Sequence, residues 1–225
     1  MPLPSARAAQ SISGLVLAVF SLFHLLNVAL AVKPGAYDAF QAVVQRVYQH
    51  PLVEPIVLGA VVVHAVIGLR EMRGSRTPTS RLPLRERLQR WAGWYLLVVI
   101  AGHVGAVRLL AVLEGAPPHF AGLSFSVAWL PWLFGPYYLA LALAGLYHAG
   151  NGVGVAAARL GAPVVARCTR SRLFWPGMGV AAAALVLGLA GIAGLLYAID
   201  DPFDNPYAAV YRRMFGSAVP DAGSR

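Results

Sequence analysis

The chain is short of cysteine and of carboxylates. Cys168 is the only cysteine among 225 residues, so no disulfide can form within the chain and no cysteine-based metal site exists. Aspartate and glutamate together number 9, and all charged residues make up only 12% of the chain. No basic domain interleaved with aromatic residues is present, which argues against nucleic-acid binding. These shortages exclude a disulfide-stapled secreted domain and point away from a soluble fold.

Hydrophobic residues fill the chain instead, at 58% of the total. Five stretches are long enough to cross about 30 Å of hydrocarbon at roughly 1.5 Å per residue. We predict an all-α integral membrane protein, one membrane domain over 1–225, with helices near 12–32, 52–70, 91–113, 126–149 and 174–199. Residues 200–225 are expected as an outer-side tail with a short interfacial helix over 207–215, and 37–48 as another helix on the outer surface. The remaining connections are too short to hold a soluble catalytic domain.

The net charge of +9 is mostly a topology signal. The N-terminal arm and the connections after the second and fourth predicted helices share one face and hold 12 of the 18 basic residues, namely Arg7, Arg70, Arg73, Arg76, Arg81, Arg85, Arg87, Arg90, Arg159, Arg167, Arg170 and Arg172. The positive-inside rule therefore predicts a cytoplasmic N-terminus and an outer C-terminus. Ala29-Leu30-Ala31 is similar to a signal-peptide cleavage site, but His24 and Asn27 within the apolar run favour a retained helix.

Each of the first four predicted helices carries one histidine in its second half: His24, His64, His103 and His148. Histidine is costly in hydrocarbon, so an intramembrane histidine suggests a functional site. Because successive helices cross in opposite directions, His64 and His148 (the inner pair) lie nearer the cytoplasm, and His24 and His103 (the outer pair) lie nearer the outside. Two stacked pairs of this kind are what two bis-histidine haems require, held within a bundle of the first four helices.

Four short motifs carry a family resemblance over residues 10 to 160. They are QSISGL (10–15) followed by His24, HAVIGLR (64–70), Trp91 followed by AGH (101–103), and YHAGNG (147–152). In order and spacing, the chain resembles the five-helix, two-haem cytochrome b membrane anchor of succinate dehydrogenase and fumarate reductase. The fifth predicted helix matches only as an apolar helix without a ligand.

The resemblance implies two haem b groups, with iron ligands at His64 and His148 for the inner haem and at His24 and His103 for the outer haem. It also implies inner-haem propionate contacts at Gln10, Ser11, Trp91 and Arg159. The expected partners are a flavoprotein subunit with FAD and an iron–sulfur subunit on the cytoplasmic face, together with membrane lipid and quinone. The implied function is electron transfer between the iron–sulfur subunit and quinone, expected to be menaquinone, in the cell inner membrane.

Several positions allow more than one interpretation. Arg108 either binds an outer-haem propionate or extends to the outer interface. A quinone site needs a proton acceptor near the head group, and its outer-side candidates are Asp38, His50 and Glu54. Glu54 would equally suit the first turn of a helix. Gln10 and Ser11 could cap the first helix.

Position 146, two residues before His148, is leucine. Some fumarate reductases of the family have a glutamate there for a transmembrane proton path, so Leu146 favours succinate oxidation. Two other functions stay open: a cytochrome b subunit of a hydrogenase, formate dehydrogenase or nitrate reductase, and a haem-free transporter or anchor with a histidine proton relay. The scarcity of carboxylates within the helices argues against a relay.

Overall fold

The computed structural model describes residues 4–115 and 119–223. Arg225, at the end of the predicted tail, lies outside the described residues. Within those ranges every regular element is helical and no strand occurs, which confirms the predicted all-α class. Five helices are long and apolar enough to cross a membrane, so the chain is a multi-pass membrane protein. Their apolar side chains are widely exposed, as at Val62, Val98 and Val180, which suits contact with lipid.

We number the helices in chain order. The five spanning helices are α1 (Pro4–Leu30), α3 (Val53–Gly74), α4 (Leu84–Glu114), α6 (Pro131–Arg159) and α8 (Phe174–Ile192). The shorter helices are α2 (Ala36–Tyr48), α5 (Phe120–Trp129), α7 (Pro163–Thr169) and α9 (Pro206–Phe215). Helices α2 and α9 confirm the short helices predicted over 37–48 and 207–215.

The spanning helices extend beyond the apolar runs from which they were predicted. Helix α1 begins at Pro4 rather than near 12, and α6 continues to Arg159 rather than ending near 149. Hydropathy marks the part of a helix that suits hydrocarbon, whereas backbone hydrogen bonds continue through polar residues with good helix propensity. The additional turns bring Gln10, Asn151 and Arg159 onto regular helices.

The predicted start of the fourth helix, 126–149, is wrong, because the helix is interrupted at Leu130. This residue has φ −131° and ψ 71°, and it separates α5 from α6. A residue before proline is disfavoured in the helical region, and Pro131 is suited to the first position of the next helix. Residues 120–129 are therefore a separate short helix.

The predicted fifth helix, 174–199, ends early, at Ile192. Gly194 has φ +73°, a conformation that glycine adopts without strain. The Leu195 amide donates to the Ala190 carbonyl, and the Gly194 amide donates to the Gly191 carbonyl. These two bonds form a Schellman cap, which ends the helix within an apolar run that hydropathy treats as continuous.

The described chain divides into two compact units. The first comprises Met1–Leu25, Val43–Val98 and Ala142–Ala183, and it contains His64, His148 and the polar residues around them. The second comprises Leu26–Ala42, Val99–Leu141 and Ala184–Arg225.

The second unit combines close helix packing with an aromatic cluster. A Cβ at Gly188 or Gly191 of α8 would collide with carbonyl oxygens of Val28 and Ala31, so glycine permits the close contact with α1. In the same unit, α9 packs on α5 around a buried core, whose members are Phe125, Phe203, Ala208 and Val219. Asn205 caps α9 by accepting a hydrogen bond from the Ala208 amide at 3.0 Å.

Candidate functional site

His64 on α3 and His148 on α6 face each other within the first unit. Their ring centroids lie 6.0 Å apart and their planes make an angle of 88°. Two imidazole nitrogens that bind one metal at about 2 Å each stand about 4 Å apart, which puts the ring centres roughly 6 Å apart. The two rings thus have the separation expected of axial ligands to a single iron.

The ring of His64 is oriented by α1. Its Nδ1 lies 3.2 Å from the Gln10 carbonyl oxygen and 3.5 Å from Ser13 Oγ. The Ser13 hydroxyl donates to the Ala9 carbonyl at 2.7 Å, so its proton is already used. A carbonyl oxygen can only accept, and Nδ1 of His64 is therefore the donor. In the neutral ring this leaves the Nε2 lone pair free for a metal.

The ring of His148 is held by a chain of side chains from α4 and α6. Gln89 Nε2 lies 3.2 Å from His148 Nδ1 and donates to the His148 carbonyl at 3.2 Å. Asn151 Nδ2 donates to Gln89 Oε1 at 2.9 Å, and Arg85 Nε donates to Asn151 Oδ1 at 2.5 Å. We call Arg85, Asn151 and Gln89 the amide chain. A partly buried polar chain with its members bonded to one another restrains the side chain at its end.

Two glycines form the walls against which these rings rest. A Cβ at Gly14 of α1 would lie 3.0 Å from His64 Cε1, and one at Gly93 of α4 would lie 3.2 Å from His148 Cε1. Either atom would be too close without movement of the ring. Each histidine therefore packs closely on a glycine of a neighbouring helix.

Sequence reasoning missed Gln89, Gly14 and Gly93 as site residues, although a signal for them is present. The same spacing of glutamine, glycine and histidine occurs twice, as Gln10, Gly14 and His24 in α1 and as Gln89, Gly93 and His103 in α4. In each copy the glutamine and glycine contact the histidine of another helix. Positions four apart lie on one helix face, which explains why the glutamine and glycine act on the same ring.

The outer pair falls in different units, and each member has its own neighbours. His24 of α1 stacks on Phe20 at 5.6 Å with an interplanar angle of 11°, and Tyr48 meets the edge of Phe20. In the second unit, His103 Nδ1 lies 3.4 Å from the Tyr137 hydroxyl. Both histidines therefore lie beside aromatic rings on neighbouring turns or helices.

Arg108 lies in a π-helical turn, Gly105–Leu109, that interrupts α4 directly after His103. Such turns shift the faces of a helix and are frequent at functional sites. Arg108 therefore leaves the face that a regular α-helix would assign to it.

The predicted propionate residues differ in their surroundings. Gln10 Oε1 and Ser11 Oγ are buried and have no hydrogen-bond partner among the described residues. Trp91 is 53% exposed, with the Arg87 guanidinium 5.3 Å from its ring centre. Arg159 Nη2 donates to Glu71 at 3.3 Å in a partly exposed ion pair. Buried polar atoms without partners require an explanation, and a bound polar group would supply one at Gln10 and Ser11.

The predicted quinone residues have local structural partners. Asp38 accepts a hydrogen bond from the Phe120 amide at 2.9 Å, at the start of α5, and lies 3.9 Å from His119. His50 Nδ1 accepts from the Leu52 amide at 3.3 Å, and Glu54 is in the first turn of α3. Asp38 belongs to the second unit, and His50 and Glu54 belong to the first.

The donor set around His64 and His148 suits a haem. The described residues contain no group of three or more histidine, cysteine, aspartate or glutamate side chains that could share a metal ion. A bis-histidine haem needs only two protein ligands, because the porphyrin supplies the other four. Two imidazoles at axial separation, each cradled by a glycine, are compatible with that requirement.

Comparisons with known proteins do not assign a family. No family model matches the chain, and no curated protein or solved structure matches it.

Proposed function

We propose that this protein is the di-haem cytochrome b membrane anchor of a succinate dehydrogenase, which passes electrons between an iron–sulfur subunit and membrane quinone. The observation that carries the proposal is the 6.0 Å separation of the His64 and His148 rings. Bound haem would supply reversible one-electron exchange between ferric and ferrous iron. Succinate chemistry would belong to the flavoprotein partner.

The residues of this chain would bind, orient and shield the two groups. His64 and His148 would be the inner ligands, and His24 and His103 would be the outer ligands. His24 and His103 occupy equivalent positions in the repeated pattern of glutamine, glycine and histidine. The buried Ser11 hydroxyl supports a polar group at the inner site, where this hydroxyl and the amide nitrogen of Gln10 could donate to a propionate. Arg159 and Trp91 are further candidates for this role.

The orientation of the chain follows from its arginines. With the positive-inside rule, the inner pair lies towards the cytoplasm of the cell inner membrane, where the iron–sulfur subunit would dock on the basic connections. Quinone would react on the outer side, with Asp38, His50 and Glu54 as candidate proton acceptors and menaquinone as the expected quinone.

The test is haem quantification and a reduced-minus-oxidised optical spectrum on the purified chain. Two b-type haems per chain are expected, and His64→Ala or His148→Ala should disturb one of them. His119→Ala is the matched control, because His119 lies outside both pairs and should leave haem content unchanged.

A chain without b-type absorbance would contradict the proposal and favour the haem-free proton relay. Haem with a hydrogenase or formate dehydrogenase as the co-purifying partner would favour the other cytochrome b function. Co-purification with a flavoprotein and an iron–sulfur protein that together oxidise succinate is the expected result.

A further inference from the structure

The amide chain has a fixed polarity because it begins at a cation. An arginine side chain has only donors, so Asn151 must direct its oxygen towards Arg85 Nε, at 2.5 Å. The amino group of Asn151 then donates to Gln89 Oε1 at 2.9 Å. The amino group of Gln89 is left for His148, and it meets Nδ1 at 3.2 Å. Each bond determines the direction of the next, and Nδ1 of His148 accepts.

Arg85 is itself held firmly at the start of the amide chain. Its Nη2 donates to the Thr169 carbonyl at 2.5 Å, and its guanidinium lies 4.0 Å from the centre of the Phe174 ring. The Tyr147 hydroxyl donates to the Arg85 carbonyl at 3.0 Å. A guanidinium held by the Thr169 carbonyl and the Phe174 ring will not readily turn to accommodate a reversed amide.

The two histidines of the inner pair are consequently unequal. Nδ1 of His64 faces a carbonyl and must donate, which leaves its Nε2 open to iron. Nδ1 of His148 faces a donor, so the proton of its neutral ring resides on Nε2. His64 is ready to bind iron, whereas His148 must first rearrange its hydrogen bonds.

We propose, on the basis of the proposed function, that Gln89 is a positioning residue that controls when His148 can bind iron. For Nε2 to ligate, the ring proton must move to Nδ1, and Gln89 must turn its amide to present Oε1. That turn places the amino group of Gln89 opposite the amino group of Asn151 unless the amide of Asn151 turns as well. Arg85 opposes the second turn, because its guanidinium has only donors and needs the Asn151 oxygen as its acceptor. His64 would therefore ligate a bound haem first, and the amide chain would delay ligation by His148.

The experiment follows haem binding to the purified full chain by optical and EPR spectroscopy, with haem b as the probe. The variants are Gln89→Leu and Gln89→Glu, with Gln45→Leu as the matched control, because Gln45 bonds to Gln49 rather than to a histidine. A carboxylate at position 89 accepts from Asn151 and from His148 Nδ1 without any turn. Gln89→Glu should therefore convert high-spin haem to low-spin haem several-fold faster than the wild type.

Gln89→Leu leaves His148 without its partner, so inner haem should remain partly high-spin. Gln45→Leu should behave as the wild type. In addition, His148→Ala should retain a high-spin haem on His64, whereas His64→Ala should bind no inner haem. The signal of the outer haem reports whether each variant is folded.

Two results would overturn this inference but not the proposed function. In the first, the wild type binds two haems and the Gln89 variants convert to low-spin haem at the wild-type rate. In the second, Gln89→Leu and Gln89→Glu slow that conversion equally, which would mean that Gln89 has only a packing role. A wild-type chain that binds no haem would instead overturn the proposed function, and this inference with it.

Discussion

The planes of the His64 and His148 rings are almost perpendicular, at 88°, with centroids 6.0 Å apart. His64 takes its orientation from the Gln10 carbonyl, and His148 takes its orientation from Gln89. Hydrogen bonds to two different helices thus orient the two crossed rings.

Crossed ligand planes predict a characteristic spectrum for the proposed inner haem. Each imidazole then interacts with a different iron d orbital, which leaves these two orbitals nearly equal in energy. The ferric inner haem should consequently give a strongly anisotropic low-spin EPR signal. A rhombic signal that disappears in His148→Ala would mean that the planes are parallel and would contradict the geometry.

Gly14→Ala should weaken haem binding at the proposed inner site without weakening the fold. The added Cβ would lie 3.0 Å from His64 Cε1, so the ring would have to move. Alanine favours a helix interior over glycine by about 1 kcal/mol, so the free energy of unfolding should not fall. The measurement is haem affinity together with thermal unfolding of the haem-free chain.

Gly179→Ala is the control for that substitution, since no atom lies within 4 Å of a Cβ at Gly179. It should gain the same helix propensity and keep its haem. Equal haem affinity in both variants would show that the cradle at Gly14 has no functional role.

Cys168 offers a direct test of orientation, because it is exposed and is the only cysteine. It lies in the connection after α6, which the arginine count assigns to the cytoplasm. A membrane-impermeant thiol reagent should label it in inverted vesicles and leave it unlabelled in intact spheroplasts. In a Cys168→Ser background, Ala222→Cys should give the opposite pattern. Labelling of Cys168 from outside would reverse the topology.

Ionisation of Tyr207 should lower the free energy of unfolding of the second unit at alkaline pH. Burial, with a smaller contribution from Tyr211, raises the pKa of Tyr207 from 10.0 to about 12. The unfolded chain loses this proton first, so the stabilisation is complete below pH 10.0 and is lost as the pH rises through about 12. Thermal unfolding across this range should show the loss.

Tyr207→Phe removes both the titration and the hydrogen bond to the Ala106 carbonyl. It should lower the free energy of unfolding by about 1 kcal/mol at neutral pH. The difference from the wild type should shrink as the pH rises from 10.0 through about 12, because only the wild type loses stability as Tyr207 ionises. A constant difference across the range would mean that the Tyr207 hydroxyl does not titrate in this environment.

The sequence by itself determined the membrane class, the five spanning segments and the four intramembrane histidines. Composition and run length suffice for these features because hydrocarbon imposes the same requirement on every residue of a span. Hydropathy could not locate the break at Leu130 or the cap at Gly194, because both depend on backbone conformation within apolar sequence.

Only the tertiary structure brought His64 and His148 to axial separation and identified Gly14, Gly93 and the amide chain around them. These contacts join residues far apart in the chain, as from Arg85 to Asn151 and from Gln10 to His64. The polarity of the amide chain was likewise decided in three dimensions. This polarity arises because packing places Arg85, which has only donors, next to the side-chain amide of Asn151, which could otherwise adopt either orientation.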